Sequence, residues 1–286
     1  MTYSEETLKE DVAILAGDIG ERNLYRYESL QAAIDFIEAR FRACGWTPQR
    51  QTYEARGKAF ANIEVEMPGL GQPAEIVVVG SHYDTVRGSP GANDNGSAVA
   101  ALFALAAAFA KRPIARTLRF VAFVNEERPF LRTSKMGSRV YAKRSRERGE
   151  RILGMLSLET LGYCSEVKGS QKLSLGGWLL PQRGDFIAVV ANRASRPLLA
   201  IVEQALPEQT SLTCRGLVLP THFPGAWSSD HWSFWKEGYP ALMVTDTAPL
   251  RYPYYHKPED TPDKVNYRWL YRVVKGIESA VAKLVG

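Results

Sequence analysis

The sequence predicts an α/β fold organised as one domain. Short runs rich in β-branched residues recur along the chain and are separated by loops and helical segments, which is typical of a sheet covered by helices. The 286 residues are 45% hydrophobic and 23% charged, a composition that suits one globular domain with a large core. No internal repeat or domain linker interrupts this pattern.

The clearest unit is a strand, a polar loop and a helix between residues 75 and 110. Residues 75–79 read EIVVV, a run typical of a strand that is buried on both faces. Turn formers then lead to residues 98–110, which are almost all strong helix formers. His82 falls where the strand ends, and Asp94 lies in the loop. Because ligands in open α/β sheets bind beyond the carboxyl ends of the strands, this loop is a candidate site.

The remaining elements are predicted from periodicity and from residues that cap helices. Thr2 and Glu5 form a possible capping box at a first helix, and Gly45 ends a second helix over residues 29–43. Residues 169–184, rich in Gly, Pro and Leu, predict a surface excursion. Two more helices are predicted at 196–206 and 267–284, and six more strands at 51–55, 60–67, 117–124, 152–158, 186–191 and 240–244.

Three of these strands lead into side chains that can bind a metal ion. They are followed, in chain order, by Glu126-Glu127, Glu159 and His256. A lone His or Asp in a loop is usually solvated or caps a turn. Four strand ends that meet in one crevice would instead gather two imidazoles and four carboxylates. Because carboxylates packed together repel one another and raise each other's pKa, the pattern indicates bound cations.

Six segments around these residues also carry a resemblance to a known family. They are SHYDTV (81–86), GANDNGSAVAAL (91–102), FVNEE (123–127), SLETLGY (157–163), SSDHWSFW (228–235) and TDTAPLRYPYYHKPEDTPDK (245–264). Together they resemble metallopeptidase family twenty-eight, which includes two-zinc aminopeptidases of bacterial type, glutamate carboxypeptidase, glutaminyl cyclases and the transferrin receptor ectodomain. The resemblance implies one zinc-exopeptidase domain over residues 1–286, with three α/β/α layers and a central mixed, mostly parallel, twisted sheet.

The resemblance also implies a metal centre. His82 and Glu159 would hold one zinc ion, Glu127 and His256 the other, and Asp94 would bridge them. Imidazole and carboxylate ligands without thiolates suit zinc, with manganese or cobalt as possible substitutes. The charge of two zinc ions exceeds that of the three carboxylates by one, so a bridging hydroxide would make the group of ligands and ions neutral.

Three further residues are candidates for catalysis. Side chains of neighbouring residues on an extended backbone point to opposite sides, so Glu126 can serve as general base while Glu127 binds metal. By resemblance, Asp84 supports the imidazole of His82 from behind and fixes its tautomer. Tyr255, by the same resemblance, polarises the scissile carbonyl and stabilises the oxyanion.

Other residues near these motifs are predicted with less detail. Asp230 and His231 are expected to make structural hydrogen bonds, and His222 lies in no motif. The tryptophans at 227, 232 and 235 are consistent either with core packing or with a partly aromatic substrate pocket. Residues 128–142 place Gly137-Ser138 later than the common family pattern, which predicts a longer loop over the site.

These observations predict a zinc-dependent exopeptidase, with an aminopeptidase that acts on peptides or small amides as the leading interpretation. Glu159 stands where many aminopeptidases of the family have Asp and where carboxypeptidase-type relatives often have Glu. A two-zinc carboxypeptidase or deacylase therefore stays open, and Arg132 or Arg251 would then bind the substrate carboxylate. A glutaminyl cyclase is less favoured because Tyr255 replaces the tryptophan that cyclases tend to carry there. A non-enzymatic relative is less favoured because no ligand is missing.

Other classes of function are not favoured by the sequence. The formal net charge is +5, but the basic run at 143–151 is diluted by Glu147 and Glu150 and indicates a solvated helix end rather than a nucleic-acid site. The serine-hydrolase motif GxSxG and the zinc motif HExxH do not occur. We expect a cytoplasmic protein, because there is no membrane-length apolar run, no signal-peptide pattern and no CxxC pair among three cysteines.

Overall fold

A computed structural model describes residues 3–172, 181–208 and 210–286. Within them, one mixed sheet has eight strands in the spatial order β1-β2-β4-β3-β5-β8-β6-β7. The strands are β1 (Gln49–Ala55), β2 (Lys58–Met67), β3 (Gln72–His82), β4 (Arg116–Phe123), β5 (Arg151–Glu159), β6 (Phe186–Ala191), β7 (Thr213–Val218) and β8 (Ala241–Thr245).

Four neighbouring strands, β4, β3, β5 and β8, run parallel to one another. Their carboxyl ends therefore lie at one edge of the sheet, at Phe123, His82, Glu159 and Thr245. On the flanks, β2 pairs antiparallel with β1 and β4, while β6 pairs antiparallel with β8 and parallel with β7. This mixed, mostly parallel sheet confirms the predicted α/β class.

Helices cover both faces of the sheet. They are α1 (Glu5–Val12, continued by a π-helical segment, Ala13–Ile19), α2 (Tyr27–Ala43), α3 (Ala98–Phe109), α4 (Gly137–Glu147), α5 (Arg196–Ala205), α6 (His231–Lys236), α7 (Ala248–Arg251) and α8 (Tyr267–Val285). Val77 and Val79 of β3 face the larger core, to which α1, α2, α3, α5 and α8 contribute. Ile76 and Val78 face the smaller core, to which α4 and α6 contribute. The alternation of side chains along one buried strand thus produces the three layers.

The first helix differs from its predicted start. Thr2 lies outside the described residues, and Ser4 caps α1 instead. The backbone N–H of Thr7 donates to Ser4 Oγ at 3.3 Å, and the Ser4 N–H donates to Thr7 Oγ1 at 2.8 Å. The capping box is therefore shifted along the chain, and Glu5 is the first helical residue rather than a member of the box.

The predicted strands and longer helices recur with shifts of at most two residues at their ends, except that the strand predicted at 75–79 extends three residues further at each end, over Gln72–His82. The prediction omitted β7, whose residues are half-buried or exposed, and the short helices α6 and α7. Residues 173–180 of the predicted excursion lie outside the described residues, although Ser165 and Gly184 on either side of them form a β-bridge. Within the described ranges, no helix has both the length and the apolarity needed to cross a bilayer.

The loop from residue 124 to residue 136 joins β4 to α4 and is tied to the sheet by Asn62. The side-chain amide of Asn62 donates to the Gly137 carbonyl at 2.9 Å, and its oxygen accepts the N–H of Val124 at 3.1 Å. Gly137 packs so closely here that a Cβ atom would lie 2.3 Å from Asn62 Oδ1 and 2.4 Å from the Val124 carbonyl oxygen. Only glycine fits this contact without a shift of the backbone.

We expect Gly137→Ala to destabilise the fold by about 1–3 kcal/mol, because the added methyl group must displace Asn62 or the Val124 carbonyl. Thermal unfolding followed by circular dichroism measures the effect. Gly17→Ala is the matched control, since its Cβ would meet only Pro262 Cγ, at 3.9 Å. Equal melting temperatures for the two variants would contradict the predicted role of Gly137.

Candidate metal centre

The carboxyl edge of the four parallel strands brings the predicted ligands together. His82 and Glu159 are the last residues of β3 and β5, and Glu127 lies in the loop after β4. Asp94 lies between β3 and α3, and His256 follows α7. Four of the five are almost fully buried, whereas His256 exposes 36% of its side chain.

The five side chains form two groups that share one carboxylate. His82 Nε2 lies 3.4 Å from Asp94 Oδ1 and 3.4 Å from Glu159 Oε2. His256 Nε2 lies 3.1 Å from Asp94 Oδ2 and 3.2 Å from Glu127 Oε1. Within each group the potential ligand atoms all lie within 4.8 Å of one another. Asp94 thus presents one oxygen to each imidazole.

Asp94 provides the best test of whether metal ions fit. Neither of its buried oxygens accepts a hydrogen bond from the described residues, although an imidazole nitrogen lies near each. Buried polar atoms without a partner are rare in folded proteins. The surrounding donors are imidazole nitrogens and carboxylate oxygens, which is a set that zinc prefers. The residues therefore fit two divalent cations that share Asp94.

The electrostatics of the cluster agree with this fit. Burial, followed by repulsion from Glu127 and Glu159, raises the pKa of Glu126 well above its usual value, against the attraction of His82. Burial also raises the pKa of Glu127, with Asp94 adding to the effect. Such repulsion between buried carboxylates is relieved when a cation lies among them.

The imidazoles respond in the opposite direction. Burial opposes the charged form of His256, yet contacts with Asp94 and Glu127 raise its pKa to about 10. For His82, burial is likewise outweighed, here chiefly by Glu159 and Glu126, and its pKa is raised well above the usual value. Both shifts express the same excess of negative charge.

A family model described as "Peptidase family M28" matches residues 62–281, which is more than half of the chain. The chain belongs to peptidase family M28. This membership supports a metallopeptidase-type hydrolase and confirms the resemblance of the six sequence segments.

Individual proteins are also similar to this chain. The uncharacterized protein YfbL of Escherichia coli strain K12 is 33% identical over 284 residues, covering 96% of this chain and 86% of YfbL. Leucine aminopeptidase 1 of Arthroderma otae is 25% identical over 301 residues, covering 99% of this chain and 74% of its own. A zinc aminopeptidase from Bacillus subtilis has the same fold, with a TM-score of 0.78 at 14% identity and coverage of 99% and 95% of the two chains.

Asp84 in this M28 chain contacts more than the imidazole that it was predicted to support. Its Oδ1 lies 3.7 Å from His82 Nδ1, beyond hydrogen-bond length, and the ring nitrogen instead lies 3.1 Å from the Asp84 backbone carbonyl. The carboxylate accepts the backbone N–H groups of Glu126 and Glu127, both at 3.1 Å. Asp84 therefore holds the backbone of the Glu126-Glu127 pair, while its carbonyl fixes the ring so that Nε2 faces the cluster.

Tyr255 stacks on His256, with ring centroids 3.8 Å apart and an interplanar angle of 19°. Burial, with added repulsion from Asp94 and Glu127, raises the pKa of the Tyr255 phenol. The phenol therefore keeps its proton at neutral pH and can donate a hydrogen bond. The stacking also restricts the orientation of the His256 ring.

The residues near α6 differ in part from their predicted role. His231 Nε2 lies 2.7 Å from the Ala226 carbonyl, as expected for a structural histidine, and burial lowers its pKa to about 4. Asp230 is fully buried, and its backbone carbonyl accepts the Ser233 N–H at 3.0 Å, but neither carboxylate oxygen accepts a hydrogen bond from the described residues. The predicted structural bond is thus made by the backbone and not by the side chain. Burial raises the Asp230 pKa to about 7. His222 is exposed and contributes nothing to the cluster.

The sequence did not predict two residues that support ligand carboxylates, Asp260 and Ser229. Asp260 accepts the N–H groups of Asn93 and Asp94 at 2.8 and 3.1 Å and the hydroxyl of Tyr252 at 2.7 Å. Ser229 Oγ donates to Glu159 Oε2 at 2.7 Å. Asp260 thus fixes the backbone of Asp94, and Ser229 fixes the orientation of the Glu159 carboxylate. The available signal was that each residue lies inside one of the six segments, Asp260 in 245–264 and Ser229 in 228–235.

Arg22 is fully buried and holds the loop that follows β3. Its guanidinium donates to the Tyr83 carbonyl at 2.6 Å, and to the Pro90 and Gly91 carbonyls at 2.7 and 3.1 Å. It also donates to the Leu15 and Gly20 carbonyls, both at 3.0 Å. This residue lies outside the part of the chain matched by the family model. It connects the N-terminal helical region to the loop that carries Asp94.

We expect Arg22→Met to destabilise the fold by about 3 kcal/mol or more, because several buried carbonyls lose their hydrogen-bond donor at once. Arg22→Lys should recover only part of the loss, since one ammonium group cannot replace a planar guanidinium with five donors. Urea unfolding gives the free energies.

Arg26→Met is the control, since the Arg26 side chain is 68% exposed and its ion pair with Glu21 is 3.8 Å long. Its stability should remain within about 0.5 kcal/mol of wild type. If Arg22→Met were as stable as this control, the loop would not depend on Arg22.

Proposed function

We propose that this M28 protein is a zinc-dependent aminopeptidase that holds two zinc ions per chain and hydrolyses N-terminal residues from peptides or small amides. The observation that carries the proposal is the pair of His-carboxylate groups that share Asp94. Support also comes from the relatives, among which the Arthroderma otae protein is a leucine aminopeptidase and the Bacillus subtilis protein is a zinc aminopeptidase.

In the proposed centre, His82 and Glu159 would hold one ion, Glu127 and His256 would hold the other, and Asp94 would be a ligand common to the two groups. When bound, the ions lower the pKa of a water molecule and polarise the carbonyl of the scissile amide. Asp260 keeps the Asp94 backbone in place through two N–H groups. The chain therefore fixes the shared ligand before any substrate arrives.

Glu126 is the proposed general base. It is buried beside the cluster and belongs to neither group of ligands, and its Oε2 lies 3.9 Å from His82 Nε2. Asp84 fixes its backbone N–H. The carboxylate accepts a proton from the attacking water and later donates it to the departing amine. The Tyr255 hydroxyl, which keeps its proton, donates to the developing oxyanion.

The two arginines considered for a carboxypeptidase have different environments. Arg251 is buried and donates to Gln171 Oε1 at 2.8 Å and to the Gly184 and Phe186 carbonyls at 3.0 and 2.8 Å. Arg251 is thus a structural residue and is not positioned to bind a substrate carboxylate. Arg132 is exposed. A carboxypeptidase would need a cation such as Arg132 for the substrate carboxylate and would tolerate a blocked N-terminus, so N-blocked substrates test the direction of cleavage.

We expect elemental analysis of the purified protein to find two zinc ions per chain, and chelation to lower the melting temperature because the buried carboxylates then repel one another. Asp94→Asn should weaken the binding of both ions, since both groups lose the same ligand. Asp263→Asn, a change at an exposed carboxylate, is the control. A melting temperature that is unchanged after complete removal of metal would count against the centre.

We expect the wild-type protein to cleave leucine p-nitroanilide and to leave N-acetyl-leucine p-nitroanilide and N-acetylated dipeptides intact. Glu126→Gln should retain zinc but lose roughly 10²–10⁴-fold in kcat, because proton transfer is lost while the ligands stay. Steady-state kinetics and zinc analysis of the same samples measure both effects.

Glu259→Gln provides the matched control, because Glu259 is exposed and lies three residues from His256. It should turn over the anilide at the wild-type rate. Near-normal turnover by Glu126→Gln would exclude its proposed role. Cleavage of N-acetylated dipeptides, but not of free ones, would favour the carboxypeptidase alternative.

A further inference from the structure

Arg132 lies against two tryptophan side chains near the metal centre. Its guanidinium carbon is 4.1 Å from the Trp227 ring centroid and 5.6 Å from the Trp232 ring centroid. The Arg132 side chain is exposed, and no carboxylate of the described residues pairs with it. An indole face attracts the cation and restricts its rotation, yet leaves the N–H groups at the guanidinium edge free.

The other cations near Trp232 are placed differently. Arg139 lies 5.7 Å from the Trp232 centroid, but it forms an ion pair with Glu237 at 2.9 Å. Lys236 lies 5.6 Å from the same centroid and is the last residue of α6. Of these three cations, Arg132 is the one on the loop that begins beside the metal centre. Of the cations that lie against these indoles, Arg132 therefore combines an exposed guanidinium with a position on a loop that leads from the metal centre.

Two loops lead from residues of the metal centre to Arg132 and its indole contact. The Phe130 and Leu131 N–H groups donate to the Glu127 carbonyl at 2.9 and 3.2 Å, so the chain turns back directly after this predicted ligand. Trp227 precedes Ser229, which bonds Glu159, by two residues. Two residues span at most about 7 Å. The loop after β4 therefore connects Glu127 to Arg132, and the loop before α6 connects the Ser229–Glu159 contact to Trp227, on which Arg132 lies.

The backbone of Arg132 is itself unusual. Its φ angle is 61°, in the left-handed region that residues other than glycine seldom adopt. The turn that imposes this angle is closed by the Thr133 N–H, which donates to the Phe130 carbonyl at 2.9 Å. A surface arginine held in such a conformation, against two indoles and without an acidic partner, points to a role in recognition rather than in folding.

We propose that Arg132 binds the free C-terminal carboxylate of di- and tripeptide substrates, which makes short peptides the preferred substrate class. The proposal rests on the peptidase function proposed above. A guanidinium binds a carboxylate through two parallel N–H···O bonds. Each residue added beyond the scissile bond moves the terminal carboxylate by up to about 3.6 Å, so only short peptides keep it near a cation beside the centre.

The test compares L-Leu-L-Ala, its C-terminal amide and L-Leu-L-Asp amide as substrates of the zinc-loaded full chain. We expect the wild type to have a KM for L-Leu-L-Ala that is roughly tenfold or more below that for the amide, at similar kcat, because the amide lacks the charge. Arg132→Gln should bring the ratio of the two KM values close to one, and Arg132→Lys should preserve part of it. Melting temperatures confirm that the variants fold.

Lys236→Gln removes the same charge from beside the same indole ring and should keep the wild-type ratio. Equal kcat/KM for L-Leu-L-Ala and its amide in the wild type, or an unchanged ratio in Arg132→Gln, would overturn the proposal for Arg132 while leaving the peptidase function intact. If Arg132 lowered the KM for L-Leu-L-Asp amide but not for L-Leu-L-Ala, the proposal would be wrong about the ligand. Arg132 would then bind a side-chain carboxylate of the substrate and not its C-terminal carboxylate. Failure to cleave any of the three substrates would instead contradict the proposed peptidase function.

Discussion

Repulsion among buried carboxylates is the constraint on which the rest of this structure depends. Six acidic residues, each no more than 8% exposed, gather beyond the carboxyl ends of β3, β4, β5 and β8, namely Asp84, Asp94, Glu126, Glu127, Glu159 and Asp230. Bringing so many like charges out of water is unfavourable unless each is neutralised, hydrogen-bonded or paired with a cation. The parallel strands create this concentration, because all four end at the same edge of the sheet.

The chain supports these carboxylates unequally, and the differences separate their roles. Asp84 accepts two backbone N–H groups, and Glu159 accepts the Ser229 hydroxyl. These contacts fix geometry within the protein. Neither carboxylate oxygen of Asp94 accepts a hydrogen bond from the part of the chain that the structure describes, and each faces an imidazole. Its lack of protein donors is what makes it suitable as a shared ligand, since a coordinating oxygen must keep its lone pairs available.

The sequence predicted those parts of the molecule that leave a local pattern. β3 and β5 were predicted because continuous β-branched or apolar runs mark buried strands, and the ligands followed because they stand where these runs end. β7 was not predicted, because a partly exposed edge strand reading TCRGLV has neither alternation nor a continuous apolar run. Contacts between distant segments leave no such pattern. A fully buried arginine such as Arg22 reads, in the sequence, like any surface residue.

The bonds made by Arg22 also bear on the boundary of the catalytic unit. The family model begins at residue 62, yet the loop that carries Asp94 is hydrogen-bonded to the guanidinium of Arg22, forty residues before that point. The segment from Leu15 to Arg22 therefore supports the candidate site, although it precedes the matched region. A fragment limited to residues 62–281 would keep every proposed ligand but would lack Arg22 and its hydrogen bonds to the loop that carries Asp94. The limits of the family match should therefore not define the ends of a fragment of this protein.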